Sequence, residues 1–261
     1  MSFPTVLVTR PQGQNEALCA GVKALGLEPR EMPLLVIEAL QTLSYEAQQA
    51  LEQLASFSHL IFVSANAVRV GMDRINQRWS ELPAELSCYC VGAASAGLLQ
   101  SYGVTAAYPL EAMTSEGLLA LPGLANSHGE RVLIVKGEGG REHLQQQLQA
   151  RGAAVTTLPV YRRLPFWYTD VELQQLLGEP RPLAMLVNSG ESLHNMVSLL
   201  NRGAAQGGLD SLLVVPGQRV AGLAGELGFT NIEVAGNATD GAMLEALAQR
   251  LAGEVKSGRN R

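Results

Sequence analysis

The sequence predicts an α/β protein made of two parallel-sheet units. Three observations carry that prediction. Short apolar runs alternate with amphipathic stretches, each run ends in a turn of small or polar residues, and the chain repeats itself once at a domain-sized interval.

Residues 5–9 (TVLVT) have the length and β-branched content of a buried strand. After them Ala17, Leu18, Gly21, Val22 and Leu25 recur at helical spacing, and Gly26 marks the expected helix stop. The rhythm returns at 60–63, 87–91, 131–135, 183–187 and Leu212–Val215, each run followed by a turn and then by helix-like sequence. Parallel neighbours need crossovers of this kind, and helices on both faces explain why the strands are apolar throughout.

The repeat has two phases. A shift of 126 superposes Arg10 on Lys136, Gly13 on Gly139, Gly26 on Gly152 and Pro33 on Pro159. A shift of 125 superposes Ser64 on Ser189, Gly92 on Gly217, Gly103 on Gly228 and Thr114 on Thr239. These are strand ends, helix starts and helix stops, so the chain reads as two copies of one α/β unit. Residues 33–38 (PLLVIE) and 159–163 (PVYRR) interrupt the rhythm at equivalent places. Ordinary strands of one sheet and extended crossings between domains both fit them.

With 261 residues and 47% hydrophobic content, each half can bury a core. A net charge of −5 disfavours a broad nucleic-acid surface but leaves room for an anionic small ligand, which local geometry decides. Cys19, Cys88 and Cys90 are odd in number and too few for a disulfide framework, which favours a reducing compartment. The opening MSFPTVLVTRPQ lacks a basic segment followed by a long apolar one, and no apolar run approaches the roughly 20 residues of a membrane span. A soluble cytoplasmic protein, with no membrane or nucleic-acid partner, is the expectation.

Metal and nucleotide motifs find little support. Cys88 and Cys90 share one strand face but no second ligand pair follows, and His59, His128, His143 and His194 are scattered. They read as packed core thiols. The run Gly137-Glu138-Gly139-Gly140-Arg141-Glu142 lacks the third glycine of a dinucleotide loop, and Asn188-Ser189-Gly190-Glu191-Ser192 is not a nucleophile elbow.

Six strand-to-helix junctions remain as candidates: Thr9-Arg10-Pro11, Ser64-Ala65-Asn66-Ala67, Gly92-Ala93-Ala94-Ser95, residues 136–141, residues 188–192 and residues 216–219. In an open parallel sheet ligands bind at the carboxyl ends of the strands, and helix starts there favour anions. Taken singly, Ser64, Asn66 and Ser189 read as helix caps. Six junctions on two similar units point to a shared cleft for a polyanion.

Several motifs then converge on one family. VLVTRP near the start, VSANAV at 63–68, KGEGGRE at 136–142, LPVYRR at 158–163, VNSGESL at 187–193 and NATDGAMLEAL at 237–247 resemble the uroporphyrinogen-III synthases in order and spacing. The resemblance runs from about Val6 to Leu251. It implies two flavodoxin-like, doubly wound parallel-sheet domains joined by a two-stranded linker. By that analogy residues 1–33 and 168–256 form one domain, 39–158 the other, and 34–38 and 159–167 the linker strands.

The resemblance also implies a reaction. Hydroxymethylbilane, a linear tetrapyrrole with several carboxylates, loses its hydroxyl as water and closes to uroporphyrinogen III with its terminal pyrrole ring inverted. No metal or organic cofactor is implied. Tyr161, in the second linker strand, is the implied catalytic residue, against the plainer reading of a half-buried strand tyrosine. Substrate-binding positions are Thr9, Arg10, Ser64, Ala65, Asn66, Ser95, Lys136, Gly137, Gly139, Arg141, Asn188, Ser189, Gly190, Gln218 and Arg219. The family often has threonine at the positions of Ser95 and Arg219, which puts side-chain roles there in question. The small-molecule substrate is the main partner, with a transient contact to hydroxymethylbilane synthase left open. Two rivals stand beside this reading: a two-domain protein that closes on an anion without chemistry, and a nucleotide-sugar transferase.

Overall fold

A computed structural model of the chain describes residues 4–110, 113–140, 142–178, 181–202 and 206–258. Along the chain lie β1 (Thr5–Val8), α1 (Glu16–Ala24), β2 (Glu28–Glu31), β3 (Leu35–Ala39), α2 (Tyr45–Glu52), β4 (His59–Phe62), α3 (Ala65–Asn76), β5 (Ser87–Cys90), α4 (Ala93–Ser101), α5 (Ser115–Leu119), α6 (Pro122–Ala125), β6 (Arg131–Gly137), α7 (His143–Ala150), β7 (Ala154–Pro165), α8 (Asp170–Leu177), β8 (Ala184–Leu186), α9 (Gly190–Arg202), β9 (Leu212–Val215), α10 (Gln218–Glu226), β10 (Ile232–Val234) and α11 (Asp240–Gly258). The chain divides into two compact units, Met1–Val36 with Leu164–Arg261, and Ile37–Arg163.

The first unit holds a sheet of order β10-β9-β8-β1-β2, parallel throughout. Numbered within the unit this is 2-1-3-4-5 read from β2, the flavodoxin-like order. Because side chains alternate across a strand, Val6 and Val8 face one side with Leu186 and Val214, under Leu18, Val22, Met243 and Leu247 of α1 and α11. Leu7, Met185, Leu213 and Val215 face the other, under α8, α9 and α10 through Leu173, Met196 and Val220. Each fully buried side chain of this size contributes about 1.5–3 kcal/mol, so these runs, not the polar turns, hold the sheet.

The second unit has a sheet of order β3-β7-β6-β4-β5, with β4, β5, β6 and β7 parallel. Its faces are covered by α2, α3 and α4 on Leu60, Phe62, Leu133 and Val135, and by α5, α6 and α7 on Ile61, Val132 and Ile134. An isolated bridge pairs Tyr89 with Ala107 beyond β5. The repeat therefore matches strand for strand: β10-β9-β8-β1-β2 corresponds to the Ala107 bridge, β5, β4, β6 and β7. The superposed residues share their conformation. Gly26, Gly103, Gly152 and Gly228 all close helices with positive φ, and Gly13 and Gly139 both turn loops with positive φ. Ser64 and Ser189 both cap helices, accepting from Ala67 N and Ser192 N. Thr114 and Thr239 do the same toward Gly117 N and Ala242 N.

Three features depart from the periodic reading. First, β2 is the polar segment EPRE, which has no apolar pattern to announce it. It forms because β1 offers its backbone in register from Thr5↔Glu28 to Val8↔Glu31, and charge and proline suit a sheet edge. Second, β3 is antiparallel to β7: Leu40 N donates to Val160 O and Phe166 N to Leu34 O. Arg162 and Glu38 add an ion pair of 2.7 Å on the same pair of strands. The second sheet is thus mixed at its β3 edge. Third, β7 runs unbroken through Pro159, which pairs with Lys136. Proline cannot donate to the ladder, and the register slips beside it, so that Gly137 pairs with Tyr161.

No helix among the described residues is long and apolar enough to cross a membrane. Cys88 and Cys90 are buried, and burial pushes their thiols up to about 11 and about 12. Among the described residues no cluster of His, Cys, Asp or Glu is arranged to hold a metal ion.

His59 opens β4, at the end of the sheet away from the junctions. Its Nδ1 is buried without a hydrogen-bond partner, and its ring meets the edge of Tyr89 at 5.4 Å. Burial holds its pKa below the usual 6.5, partly opposed by the Glu130 carboxylate. Above that value the imidazole is neutral in both folded and unfolded chains. As pH falls through 6.5 the unfolded chain takes the proton first, so stability drops. The melting temperature is expected to fall as pH drops below about 6.5, and by less in His59→Asn. Equal slopes for the two proteins would exclude His59 as the cause.

Candidate active site

Topology selects two edges. In each sheet the crossovers leave in opposite directions at one point, between β1 and β8 in the first unit and between β4 and β6 in the second. The crevice outside the strand ends at such a point is where open α/β sheets bind ligands. In the first unit Thr9-Arg10 and Asn188-Ser189-Gly190 lie there. In the second, Ser64-Ala65-Asn66 and the segment from Lys136 lie there.

Four junctions open helices directly, at α3, α4, α9 and α10. The other two do not. The chain travels from Thr9 to Glu16 before α1, and from Gly137 to His143 before α7, through Gly13, Gly139 and Gly140 at positive φ. They are loops at strand ends, not helix starts.

In the second unit Tyr161 is the centre. It is 3% exposed, and its Oη lies 3.1 Å from Ser64 Oγ. Ser64 is placed by its own capping bond from Ala67 N, 3.0 Å. The slip in the β6–β7 ladder sets Tyr161 opposite Gly137 and lets Glu138 N donate to Tyr161 O at 2.7 Å. A Cβ on Gly137 would come within 2.7 Å of ring atoms Cε2 and Cζ and 2.9 Å of Arg163 Nη1. Only glycine lets the ring and the guanidinium lie this close to the backbone. Arg163 stands over the Tyr161 ring at 5.9 Å. A cavity of about 160 Å³ opens beside them, lined by Tyr161, Gly137, Gly139, Lys136, Arg163 and Ser115 among others. A phenol, two cations and a glycine loop around one cavity suit an anionic ligand.

In the first unit three elements meet at one carbonyl. Arg10 donates from Nη2 to Ala238 O at 2.6 Å, and Asn188 Nδ2 reaches the same oxygen at 3.5 Å. Arg10 Nη2 also lies 2.6 Å from Asp240 Oδ1, a close ion pair without the alignment of a hydrogen bond. Thr239 caps α11, and Asn237 Oδ1 accepts from Thr239 N and Oγ1 at 2.9 and 2.6 Å. A Cβ on Gly190 would lie 3.6 Å from Arg219 Nη1, so that guanidinium stands beside the start of α9.

Among the residues expected from sequence, Thr9 is 1% exposed and its hydroxyl donates to Leu186 O, tying β1 to β8. Ser95 is 6% exposed. Asn66 accepts from Arg69 within the first turns of α3, Gln218 is exposed at the start of α10, and Arg141 lies outside the described residues. Sequence reasoning missed Asp240, Arg163 and Ser115. The pairing of Thr114 with Thr239 in the repeat was the available signal for the first and last, since each neighbours one of these two caps.

The family model described as uroporphyrinogen-III synthase HemD matches residues 16–245. The chain belongs to the uroporphyrinogen-III synthase family. It is 35% identical over 249 residues to the uroporphyrinogen-III synthase of Escherichia coli K12, covering 93% of this chain and 99% of the relative. The Synechococcus elongatus enzyme is 30% identical over 238 residues, covering 89% of this chain and 87% of that one. The fold is shared with the Helicobacter pylori enzyme, at a TM-score of 0.61 with 15% identity, covering 96% of this chain and 100% of that one. A variant of the Thermus thermophilus enzyme matches at a TM-score of 0.57 with 20% identity, covering 95% and 99%. Membership makes the chain a hydro-lyase of tetrapyrrole biosynthesis, EC 4.2.1.75, which forms uroporphyrinogen III from hydroxymethylbilane.

Proposed function

We propose that the strand-end edges of the two units bind the carboxylates of hydroxymethylbilane and that Tyr161 acts on its departing hydroxyl. The observation that carries this is the Tyr161–Ser64 contact of 3.1 Å beside a cavity lined by Lys136 and Arg163. Ser64 Oγ accepts from the Ala67 N–H and shares a hydrogen bond with Tyr161 Oη in which either oxygen can donate. In the reactive arrangement Ser64 is the donor to Tyr161 Oη. The phenol keeps its own proton for the substrate oxygen, which leaves as water when the C–O bond breaks. Lys136, Arg163 and the glycine loop fix the carboxylates, so that the flexible chain is held in the pose that closes with inversion.

In this reading Ala65, Asn66, Gly139, Ser189 and Gly190 offer main-chain N–H groups, and Arg219 offers a guanidinium to a carboxylate. Because the free substrate closes by itself in water, hand-over through a transient contact with hydroxymethylbilane synthase belongs to the same proposal. So does a cytoplasmic location, supported by the unpaired thiols.

The test is product identity. Fresh hydroxymethylbilane left in buffer closes without inversion to the symmetrical I isomer. With the protein, chromatography of the oxidised products is expected to show mainly the III isomer. Only I isomer at high protein concentration, with the fold verified, would defeat the activity and favour a protein that binds the anion without chemistry.

A further inference from the structure

A guanidinium at a strand end reads first as a direct ligand for a substrate carboxylate, and Arg10 is such a residue. Its surroundings say otherwise. Its Nη2 serves both the Ala238 carbonyl and the Asp240 carboxylate, each at 2.6 Å. Asp240 is the first residue of α11, so its charge already occupies the anion-favouring end of that helix. Arg10 is thereby neutralised, and it spans from the end of β1 to the turn that starts α11. Asn188, from the end of β8, reaches the same carbonyl.

We propose that Asp240 and Arg10 together form a positioning clamp for substrate binding by the first unit. The pair fixes the Ala238 carbonyl and the capped turn 237–240 against the ends of β1 and β8. It thereby sets the geometry of the junction holding Asn188, Ser189 and Gly190. This rests on the proposal that these junctions bind carboxylates. Asp240 acts through Arg10 and not on the substrate.

The two roles for Arg10 predict opposite signs. If Arg10 were a ligand that Asp240 merely masks, Asp240→Asn would release its charge and lower KM. As a clamp, Asp240→Asn is expected to raise KM about tenfold with kcat changed less than twofold. Arg10→Gln is expected to do the same, and the double variant to be no worse than either single. Asp240→Glu restores part of the loss. Arg10→Lys restores little, because the lysine chain is one bond shorter and its ammonium falls near the place of the guanidinium carbon, short of the point from which Nη2 meets both oxygens. A lower or unchanged KM in Asp240→Asn, or multiplying effects in the double variant, overturns the proposal. Should Asp240→Asn or Arg10→Gln fail to fold, the ordering of Asp240→Glu above Arg10→Lys decides it.

Equilibrium titration with uroporphyrin III, followed by fluorescence, gives a second readout that needs no turnover. Tenfold weaker binding in Asp240→Asn is expected there too. Wild-type protein that yields only I isomer defeats the activity while leaving this titration to judge the clamp. Active wild-type protein with an unaffected Asp240→Asn defeats the clamp alone.

Discussion

Tyr161→Phe is expected to lower kcat about 100-fold, the order of a lost acid–base or leaving-group hydrogen bond, while binding of uroporphyrin III changes less than threefold. The phenol oxygen is the one polar atom removed. The ring stays, packed against Gly137 and under Arg163, so the cavity keeps its shape. Ser64 loses its contact to Tyr161 but keeps its cap to Ala67 N. Stability should therefore change by no more than about 1 kcal/mol, the usual worth of one hydrogen bond. Residual product should carry more I isomer, because slower turnover leaves more substrate to close in solution. Wild-type kcat with an unchanged melt would return Tyr161 to the role of a packed strand tyrosine.

Gly137→Ala should be nearly as damaging, by sterics instead of chemistry. The added methyl would stand 2.7 Å from two ring atoms of Tyr161 and 2.9 Å from Arg163 Nη1, where real Cβ contacts are essentially absent. The ring is buried and cannot simply swing aside, so either the ring tilts or β6 and β7 separate. Overpacking of this kind costs about 1–3 kcal/mol, a drop of a few degrees in melting temperature for a chain of this size. The larger effect is on rate. A displacement near 1 Å of a group that must meet a leaving oxygen costs on the order of 100-fold. Because both substitutions act on the same oxygen, Gly137→Ala with Tyr161→Phe should fall close to the worse single variant. Gly97→Ala is the control, since a Cβ there meets nothing within 4 Å. Full activity in Gly137→Ala would show that the ring has room the structure does not give it.

The sheets were legible because both of their faces are covered. Strands such as 60–63 and Leu212–Val215 are apolar at every position, a pattern that composition and length reveal without any partner. Edge strands escape this logic. Residues 28–31 carry two glutamates, an arginine and a proline, and become a strand only because β1 lies beside them. The three residues of β10 are likewise half-buried and too short to show a period.

The candidate site divides along the same line. Helix caps and positive-φ glycines are local: Ser64, Ser189, Gly13 and Gly139 do their work within a few residues of themselves. The internal repeat exposed them, since both copies must solve the same turn. Thr9 and Ser95 looked equivalent to these in sequence, yet the packing around β1 and α4 buries them. Nothing local announces that the Thr9 hydroxyl ties β1 to β8.

By itself, then, the sequence determined the strand–helix alternation, the duplication, the junctions and the family, all properties of short segments and their order. Only the tertiary structure decided which junctions flank each switch point, that a register slip beside Pro159 sets Tyr161 over Gly137, and that Arg10 pairs with Asp240. These contacts join residues 24 and 230 positions apart in the chain. Their geometry depends on strand order and ladder register, which no window of sequence contains.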